Sequence, residues 1–244
     1  MKLIIKSLII ASLLSQSTPA ATLVIENSGF EDTSGQTTFG EFTFGRPVGW
    51  QVYDPFDIHP SSGLSTGTLM PNGTDFFNDT APEGDRVAIL YNRTRRGDGE
   101  YGYTQVLTNS LQANTLYTLS VEVGNIASGT DINGSFYNLN GNPGYRVELL
   151  AGGTVISSDD NGLNIPEGNF ALSTVTFMTD GSHAQLGQSL EIRLVNENIQ
   201  TADADAYLEI DYDDVRLSAV AVPEPCSVLL LGIACCGFLL RKKR

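Results

Sequence analysis

Acidic residues at three distant points of the chain have the side chains with the clearest chemistry. Glu31 follows the first strand-like segment, Glu83 precedes a middle one, and the adjacent Asp213 and Asp214 lie in the last. Carboxylate oxygens are hard ligands, and Ca²⁺ takes roughly six to eight oxygens. A β-sandwich that brings its two termini together would let these acids meet, which predicts a structural calcium site. The alternative is a set of unrelated, solvated loop acids.

The last strand-like segment contains a break in its alternation. Leu208 and Ile210 have one parity, whereas Val215 and Leu217 have the other. If both pairs face the core, a β-bulge must lie between them. A bulge directs backbone and side-chain oxygens toward an ion, and the pattern leaves open which of the two adjacent aspartates is the ligand.

The same strand offers a candidate acid. If its first apolar pair faces the core, Glu209 and Asp211 point away from the core, toward a cleft. Asp211 is then the candidate general acid, which requires a pKa raised by burial among aromatic side chains. The alternative is a salt-bridged surface aspartate. With Glu209, the aromatic residues expected to form the wall, or to stack on sugar rings, are Phe76, Phe77, Tyr101, Tyr103 and Phe136.

The elements that must position these residues are strands. Polar and apolar residues alternate in LYTLSVEVGN, GYRVELL and SLEIRLV, and no helical period of useful length occurs between the two ends of the chain. Gly, Asn, Asp and Pro separate the strand-like segments. This predicts an all-β fold, a single β-sandwich (jelly roll) over residues 22–220. Further predicted strands are Thr22–Glu26, Trp50–Tyr53, Arg86–Tyr91, Tyr103–Leu107, Phe170–Phe177 and Ala206–Leu217.

Two long polar stretches, residues 54–83 and 126–144, interrupt the strand pattern. Long loops in a compact domain are usually functional or disordered. Both stretches carry aromatic residues, which a disordered linker would not need. We therefore expect them to cover one end or one face of the sandwich.

The N-terminus has the three parts of a secretory signal peptide. Lys2 and Lys6 precede a short apolar run, and small residues precede a cleavage point after Ala20 or Ala21. This predicts a signal helix over residues 1–21, signal peptidase as a processing partner, and export.

The C-terminus, residues 222–244, joins Pro223-Glu224-Pro225 to a short apolar helix and a basic cluster. The apolar run is shorter than the roughly 20 residues that span a bilayer. This order resembles the PEP-CTERM sorting tail of Gram-negative bacteria. The resemblance implies transient anchoring in the inner membrane, cleavage by an exosortase near the Pro-Glu-Pro, and release to the cell surface or the extracellular space. The alternative is a weak anchor that remains in place.

Composition narrows the partners of the middle part. Residues 21–221 contain no cysteine and no lysine, and eight arginines face 27 acids. Such a surface repels nucleic acid and anionic membranes, and suits divalent cations or neutral ligands.

Several motifs together resemble a known family. The opening VIENSGFE and the closing IDYDDVRL are similar to calcium-dependent carbohydrate-binding jelly rolls. With GW, PEG, PGYRVELLAGGT and LGQSLEIRLVN between them, the chain looks like the hapalindole-type (Stig) cyclases. That resemblance implies a jelly roll, acid-assisted cyclisation of an indole-isonitrile terpenoid, and calcium held by Glu31, Glu83 and Asp214 with the backbone carbonyl of Arg86.

Three functions follow as hypotheses. The leading one is an exported, surface-sorted, calcium-binding β-sandwich that binds extracellular polysaccharide or another ligand. The alternative is a calcium-dependent cyclase or isomerase that uses Asp211, and the second alternative is a structural matrix protein. The cleft discriminates among them: an apolar pocket around a buried acid favours cyclisation, an open groove with exposed aromatics favours sugar, and a flat face favours the structural role.

Overall fold

The structure, a computed structural model, describes residues 19–59, 65–93 and 99–222. These residues form fifteen strands and no helix. No segment among them is a helix long and apolar enough to cross a membrane. The predicted signal helix and C-terminal helix lie outside the described residues. The strands are β1 (Ala21–Leu23), β2 (Thr37–Phe39), β3 (Phe42–Phe44), β4 (Gln51–Tyr53), β5 (Thr66–Leu69), β6 (Val87–Asn92), β7 (Tyr101–Ser110), β8 (Thr115–Asn125), β9 (Gly129–Thr130), β10 (Phe136–Tyr137), β11 (Tyr145–Ala151), β12 (Thr154–Asp160), β13 (Asn169–Met178), β14 (Ser189–Asn196) and β15 (Leu208–Ala221).

Two antiparallel sheets contain most of these strands. The long sheet has the order β13-β8-β15-β6-β5-β3-β2, and β1 also pairs with β15. The short sheet has the order β12-β11-β14-β7-β4, while β9 and β10 form a separate hairpin. The predicted all-β class is confirmed, and the arrangement is a β-sandwich.

The sandwich core lies between the two sheets and follows from alternation. In β8, Tyr117, Leu119, Val121 and Val123 are fully or almost fully buried in it, and the residues between them point outward. Trp50 is also fully buried there, and its ring stacks on Phe30 with centroids 5.3 Å apart. Burial of apolar area on this scale is the main stabilising contribution of such a fold.

The outer face of the long sheet is covered as well. Apolar side chains from the two predicted loop stretches, among them Phe76, Phe77, Ile126 and Leu139, form a second core with alternate residues of β6. The expectation that these stretches cover one face of the sandwich is confirmed. The first part of β15, residues 208–213, is therefore buried on both faces.

The predicted bulge is present. The pairing of β15 with β8 shifts by one residue between Asp213 and Arg216. Asp214 has a φ of 48°, a left-handed conformation that is uncommon outside glycine. Ile210 before the bulge and Val215 after it both lie in the sandwich core. The strand prediction omitted β2, β3, β5, β9 and β10, which are two to four residues long, and also the seven-residue β12.

Candidate active site

Three acidic residues at alternate positions of β15 are buried on the face away from the sandwich core. Glu209 is 3% exposed, and Asp211 and Asp213 are fully buried. Glu209 lies opposite Tyr91 of β6, while Asp211 lies between Ile89 of β6 and Gly124 of β8. Parity predicted that Glu209 and Asp211 point away from the sandwich core, and this prediction is confirmed.

The first two of these three acids have no partner other than each other. Oε1 of Glu209 and both carboxyl oxygens of Asp211 are buried without a hydrogen bond. In the part of the chain that the structure describes, neither carboxyl forms an ion pair. Buried polar atoms are hydrogen-bonded in the great majority of cases, so an unpartnered pair requires an explanation.

Burial sets the protonation of this pair. Burial raises the pKa of Glu209. Burial also raises the pKa of Asp211, and the adjacent Glu209 carboxyl raises it further. Without a cation nearby, a desolvated carboxyl favours its neutral form. The pair therefore has the property that a proton donor near neutral pH requires.

An aromatic pocket lies above the pair. A chamber of about 10 Å³ is bounded by Glu209, Phe42, Phe44, Ile89, Tyr91 and Tyr137. Three of these residues, Phe44, Tyr91 and Tyr137, also line an outer pocket of about 540 Å³. That volume is within the range of small-molecule sites. The outer pocket is completed by Thr37, Thr38, Phe39, Arg93, Ser135, Phe136 and Tyr207.

The aromatic residues predicted for the wall separate into two groups. Phe76 and Phe77 are buried in the second core, where Phe77 stacks on Phe170 at 4.3 Å, and Phe136 is 67% exposed at the outer pocket. Tyr101 and Tyr103 lie instead in the sandwich core. This placement corrects the expectation that they line the cleft, because their strand belongs to the short sheet.

Sequence reasoning did not identify several pocket residues. Tyr91, Tyr137 and Tyr207 surround the route to Glu209, and the rings of Tyr91 and Tyr207 meet at 5.6 Å. The signal for Tyr91 was its parity with Val87 and Ile89 in a mostly apolar strand. Its position opposite Glu209 depends on strand register, which the sequence does not display.

The acids predicted to bind calcium gather beside the bulge. A Cβ on Gly29 would overlap the Glu83 carboxylate, and a Cβ on Gly84 would overlap that of Glu31. The Asp213 carboxylate accepts hydrogen bonds from the backbone N–H groups of Glu83 and Asp214, at 2.8 and 2.7 Å.

Two further members of the predicted calcium set lie in the same region. Backbone N–H groups of Asp85 and Arg86 donate to Oε1 of Glu31, each at 2.8 Å, so the Arg86 backbone lies beside this acid. Asp214 is paired with Arg216, whereas burial raises the pKa of Asp213 to about 8. Among the described residues, no three acidic, histidine or cysteine side chains already surround one point closely enough to hold a metal.

The outer face of the short sheet holds an ion-pair network. Arg146 pairs with Glu100 and Glu148 at 2.8 and 2.7 Å, and Arg193 pairs with Glu148 at 3.0 Å. The Arg193 guanidinium also covers the ring of Tyr53 at 4.0 Å. Arginine thus covers one face of the Tyr53 ring.

The predicted processing residues have little structural context. Ala20 is exposed and Ala21 begins β1. Pro223, Glu224 and Pro225 lie outside the described residues. Cleavage at either end therefore stays a prediction.

Family comparison adds to this geometry. The model of the HpiC1-like family, described as HpiC1 cyclase, matches residues 21–218. The chain belongs to this family. Its resemblance to the hapalindole-type cyclases is thereby confirmed, together with the jelly-roll-like fold. Among curated proteins, none matches the chain.

Solved cyclases are similar to this HpiC1-like chain. A cyclase from Fischerella sp. TAU is 39% identical, with a TM-score of 0.73, and the match covers 84% of this chain and 100% of that one. The Stig cyclase Fisc from the same source, in complex with (3Z)-3-(1-methyl-2-pyrrolidinylidene)-3H-indole, is 38% identical, with a TM-score of 0.72 and coverage of 84% and 100%.

A third crystal structure is of a cyclase from Fischerella sp. TAU in complex with 4-(1H-indol-3-yl)butan-2-one. It is 39% identical, with a TM-score of 0.72, and the match covers 83% of this chain and 99% of that one. These relatives favour the cyclase alternative and give the glycan-binding hypothesis no support.

Proposed function

We propose that this protein is a cyclase or isomerase that acts on a hydrophobic, indole-bearing substrate with acid assistance. The observation that carries the proposal is the unpartnered carboxyl pair, Glu209 and Asp211, beneath an aromatic pocket. Membership in the HpiC1-like family and the indole-type ligands of the similar structures support the substrate class.

The pocket suits this chemistry in shape and polarity. Phe39, Phe44 and Phe136 offer apolar ring surface, while Tyr91 and Tyr137 narrow the route to the acids. An indole ring placed among them would exclude water from the carboxyl pair. Water exclusion favours the neutral acid before proton transfer and strengthens its interaction with a developing charge.

The proposed reaction is balanced in atoms and in protons. One carboxyl O–H breaks as a C–H bond forms on an unsaturated carbon of the substrate, which leaves a cation. A carbon–carbon bond then closes the ring at that cation. A neighbouring C–H bond gives up its proton to the carboxylate, so the product is an isomer of the substrate and the acid is restored.

The test is incubation of the full chain with an indole-isonitrile terpenoid, in H₂O and in D₂O. We expect a product of unchanged mass in H₂O and one deuterium per product molecule in D₂O. The double variant Glu209→Gln/Asp211→Asn should abolish conversion, whereas Glu148→Gln on the far sheet should not. No isomer under any condition, or an isomer without deuterium, would contradict acid-assisted cyclisation.

We also infer a structural calcium ion beside the bulge. Its oxygen donors would come from Glu31, Glu83 and Asp213 together with the Arg86 carbonyl. The inference is supported by the buried Asp213 carboxylate among other acids, since oxygen-rich acidic sites suit Ca²⁺. When bound, the ion would supply positive charge that offsets these acids and would fix the loops around residues 29 and 84.

Thermal unfolding with calcium and with EGTA tests this inference. A ligand that binds only the folded state stabilises it by about 2.7 kcal/mol at a hundredfold excess over its dissociation constant. We expect calcium to raise the Tm, and the increase to be lost in Glu83→Gln and Asp213→Asn. Retention of the increase in Asp214→Asn would identify Asp213 as the ligand of the two. An unchanged Tm at saturating calcium would overturn the inference.

A further inference from the structure

The outer pocket has one charged residue among the described residues that line it, and that residue is a cation. Arg93 follows directly on β6 and is exposed, while the other lining side chains carry aromatic rings or hydroxyls. Over residues 21–221, 27 acids face only eight arginines. A lone positive charge beside an aromatic pocket therefore runs against the composition of the chain and suits recognition of an anionic group.

No acid neutralises Arg93 in the part of the chain that the structure describes. Arg146, Arg193 and Arg216 each form ion pairs with acids, whereas Arg93 forms none there. An unpaired guanidinium keeps its five N–H donors for water or for a ligand.

The acid that contacts the pocket wall is already engaged. Asp131 is 4% exposed, and its carboxylate lies 3.4 Å from the Tyr137 hydroxyl. It accepts hydrogen bonds from the backbone N–H groups of Asn133 and Ser135, at 2.9 and 2.7 Å. Asp131 is therefore held by its own loop, which leaves Arg93 available to a ligand.

Electrostatics place the Arg93 guanidinium beside the aromatic wall. Burial raises the pKa of Tyr91 and of Tyr137, and the positive charge of Arg93 opposes both rises. Both rings line the outer pocket and the small chamber beneath it. A ligand whose ring lies against these tyrosines would therefore place its substituents within reach of the guanidinium.

Hydroxyl donors line the same pocket. Thr37 and Thr38 belong to β2, and Ser135 immediately precedes β10. A guanidinium offers a planar fork of N–H groups that matches a carboxylate, and hydroxyls can donate to the same oxygens. The many acids of the chain would repel a dianion more strongly than a monoanion. The donor set therefore favours a carboxylate over a phosphate ester.

We propose that the outer pocket binds an aromatic ligand that bears a carboxylate, and that Arg93 is the residue that selects this group. The inference rests on the proposed function, since it takes the outer pocket as the place of the indole ring. Neither indole ligand named with the similar crystal structures carries a carboxylate, so the preference belongs to this chain. Acid-assisted ring closure leaves the carboxylate unchanged.

Two matched ligands test the proposal. Calorimetry with the full chain at pH 7.5 and low salt would compare indole-3-butyrate with indole-3-butanamide, which has the same shape and no charge. We expect the carboxylate to bind about tenfold more tightly, the factor that one charge-assisted hydrogen bond supplies at an exposed position. High salt should reduce the difference, because exposed charges are screened.

The two possible failures are distinguishable. Equal affinities at low salt would overturn the role of Arg93 and leave the cyclase proposal standing. The absence of binding by both ligands would count against the indole pocket itself, and the proposed function and this inference would fall together.

Variants separate a contact from the general charge of the protein. Arg93→Gln should reverse the preference, because the carboxylate then meets only the excess of acids. Arg93→Lys should restore part of it, since it returns the charge without the planar fork. Arg46→Gln is the matched control: Arg46 is also exposed, bonds Gln51 and does not line the pocket.

Circular dichroism during thermal unfolding would confirm that each variant is folded before affinities are compared. A carboxylate preference that survives in Arg93→Gln, or that Arg46→Gln abolishes equally, would overturn the assignment.

Discussion

Around β6 and the first half of β15, both faces of the long sheet are buried, but the polar atoms on the two faces differ in their hydrogen bonding. On the sandwich face, the Tyr103 hydroxyl donates to the Ile89 carbonyl and accepts from the Gly67 N–H, both at 2.8 Å, and the Tyr212 hydroxyl donates to the Val195 carbonyl at 2.6 Å. On the pocket face, Glu209 and Asp211 keep oxygens without partners. Satisfied polar groups stabilise the fold, and unsatisfied ones reduce its stability at the place where a ligand binds.

Tyr101 is the one residue whose ring and hydroxyl fall on different sides of this contrast. It belongs to the sandwich core, yet its hydroxyl has no partner. Burial raises its pKa most, and the Glu209 carboxyl is the next cause. The Tyr101 hydroxyl therefore lies near the carboxyl pair, although its ring packs in the sandwich core.

The largest expected effect is on the sandwich face. Trp50→Ala removes a fully buried ring that stacks on Phe30. We expect the free energy of unfolding to fall by about 3–5 kcal/mol, as for other large-to-small core substitutions, measured by urea denaturation. Val106→Ala is the control, because Val106 is 64% exposed and should change stability by less than about 0.5 kcal/mol. Similar losses in the two variants would contradict the assigned core.

The next effect concerns hydrogen bonds on the same face. Tyr103→Phe leaves the Gly67 N–H and the Ile89 carbonyl without their partner, which should cost about 1–3 kcal/mol. Tyr53→Phe is the matched control, since its hydroxyl bonds Glu100 at the half-buried outer face. Equal losses of unfolding free energy for the two substitutions would show that the buried Tyr103 hydroxyl contributes no more to stability than the half-buried Tyr53 hydroxyl.

On the pocket face the sign should reverse. Glu209→Leu replaces a buried, unpartnered carboxyl with an apolar group and should stabilise the protein by about 1 kcal/mol, because no hydrogen bond is lost at Oε1. Glu148→Leu, which removes the partner of Arg146 and Arg193, should destabilise it instead. Chemical denaturation of both variants checks the signs, and destabilisation by Glu209→Leu would remove the contrast between the faces.

A pH dependence tests the same face in another way. Glu209 has a raised pKa in the folded state, so between its unfolded pKa of about 4.3 and its folded pKa the folded protein binds more protons than the unfolded chain. The free energy of unfolding must therefore fall as pH rises through this window, by at most about 1.4 kcal/mol per pH unit for one proton. Glu209→Gln should flatten the slope measured by denaturation at several pH values, and an unchanged slope would assign the effect to other groups.

Alternation predicted the long strands well. β8, β11 and β14 place every predicted apolar residue inward, because each is long enough and buried enough on one face to display its period. The segments TTF, FTF and TGTL were missed because three or four residues display no period, and they become strands by pairing in series with β6: β5 pairs with β6, β3 with β5 and β2 with β3. The seven-residue β12 was also missed, because its polar C-terminal half was interpreted as a turn.

The site was predictable only along one strand. Parity placed Glu209 and Asp211 on the pocket face, and the change of parity located the bulge. The neighbours of the pair were not predictable, since Tyr91 and Tyr137 reach it through strand register and loop packing. Tyr101 and Tyr103 were placed in the wrong layer because aromatic character alone does not identify the sheet to which a strand belongs.

The bulge determines which single-residue deletions in the final strand the fold can accept. Ile210 and Tyr212 face the core, and so does Val215, which means that Asp214 is the one residue added to an otherwise regular alternation. A chain without Asp214 would keep every core residue of β15 on its present face. A chain without Asp211 would move the residues on one side of the deletion to the opposite face of the sheet. Hydrophobic burial alone therefore does not require this aspartate.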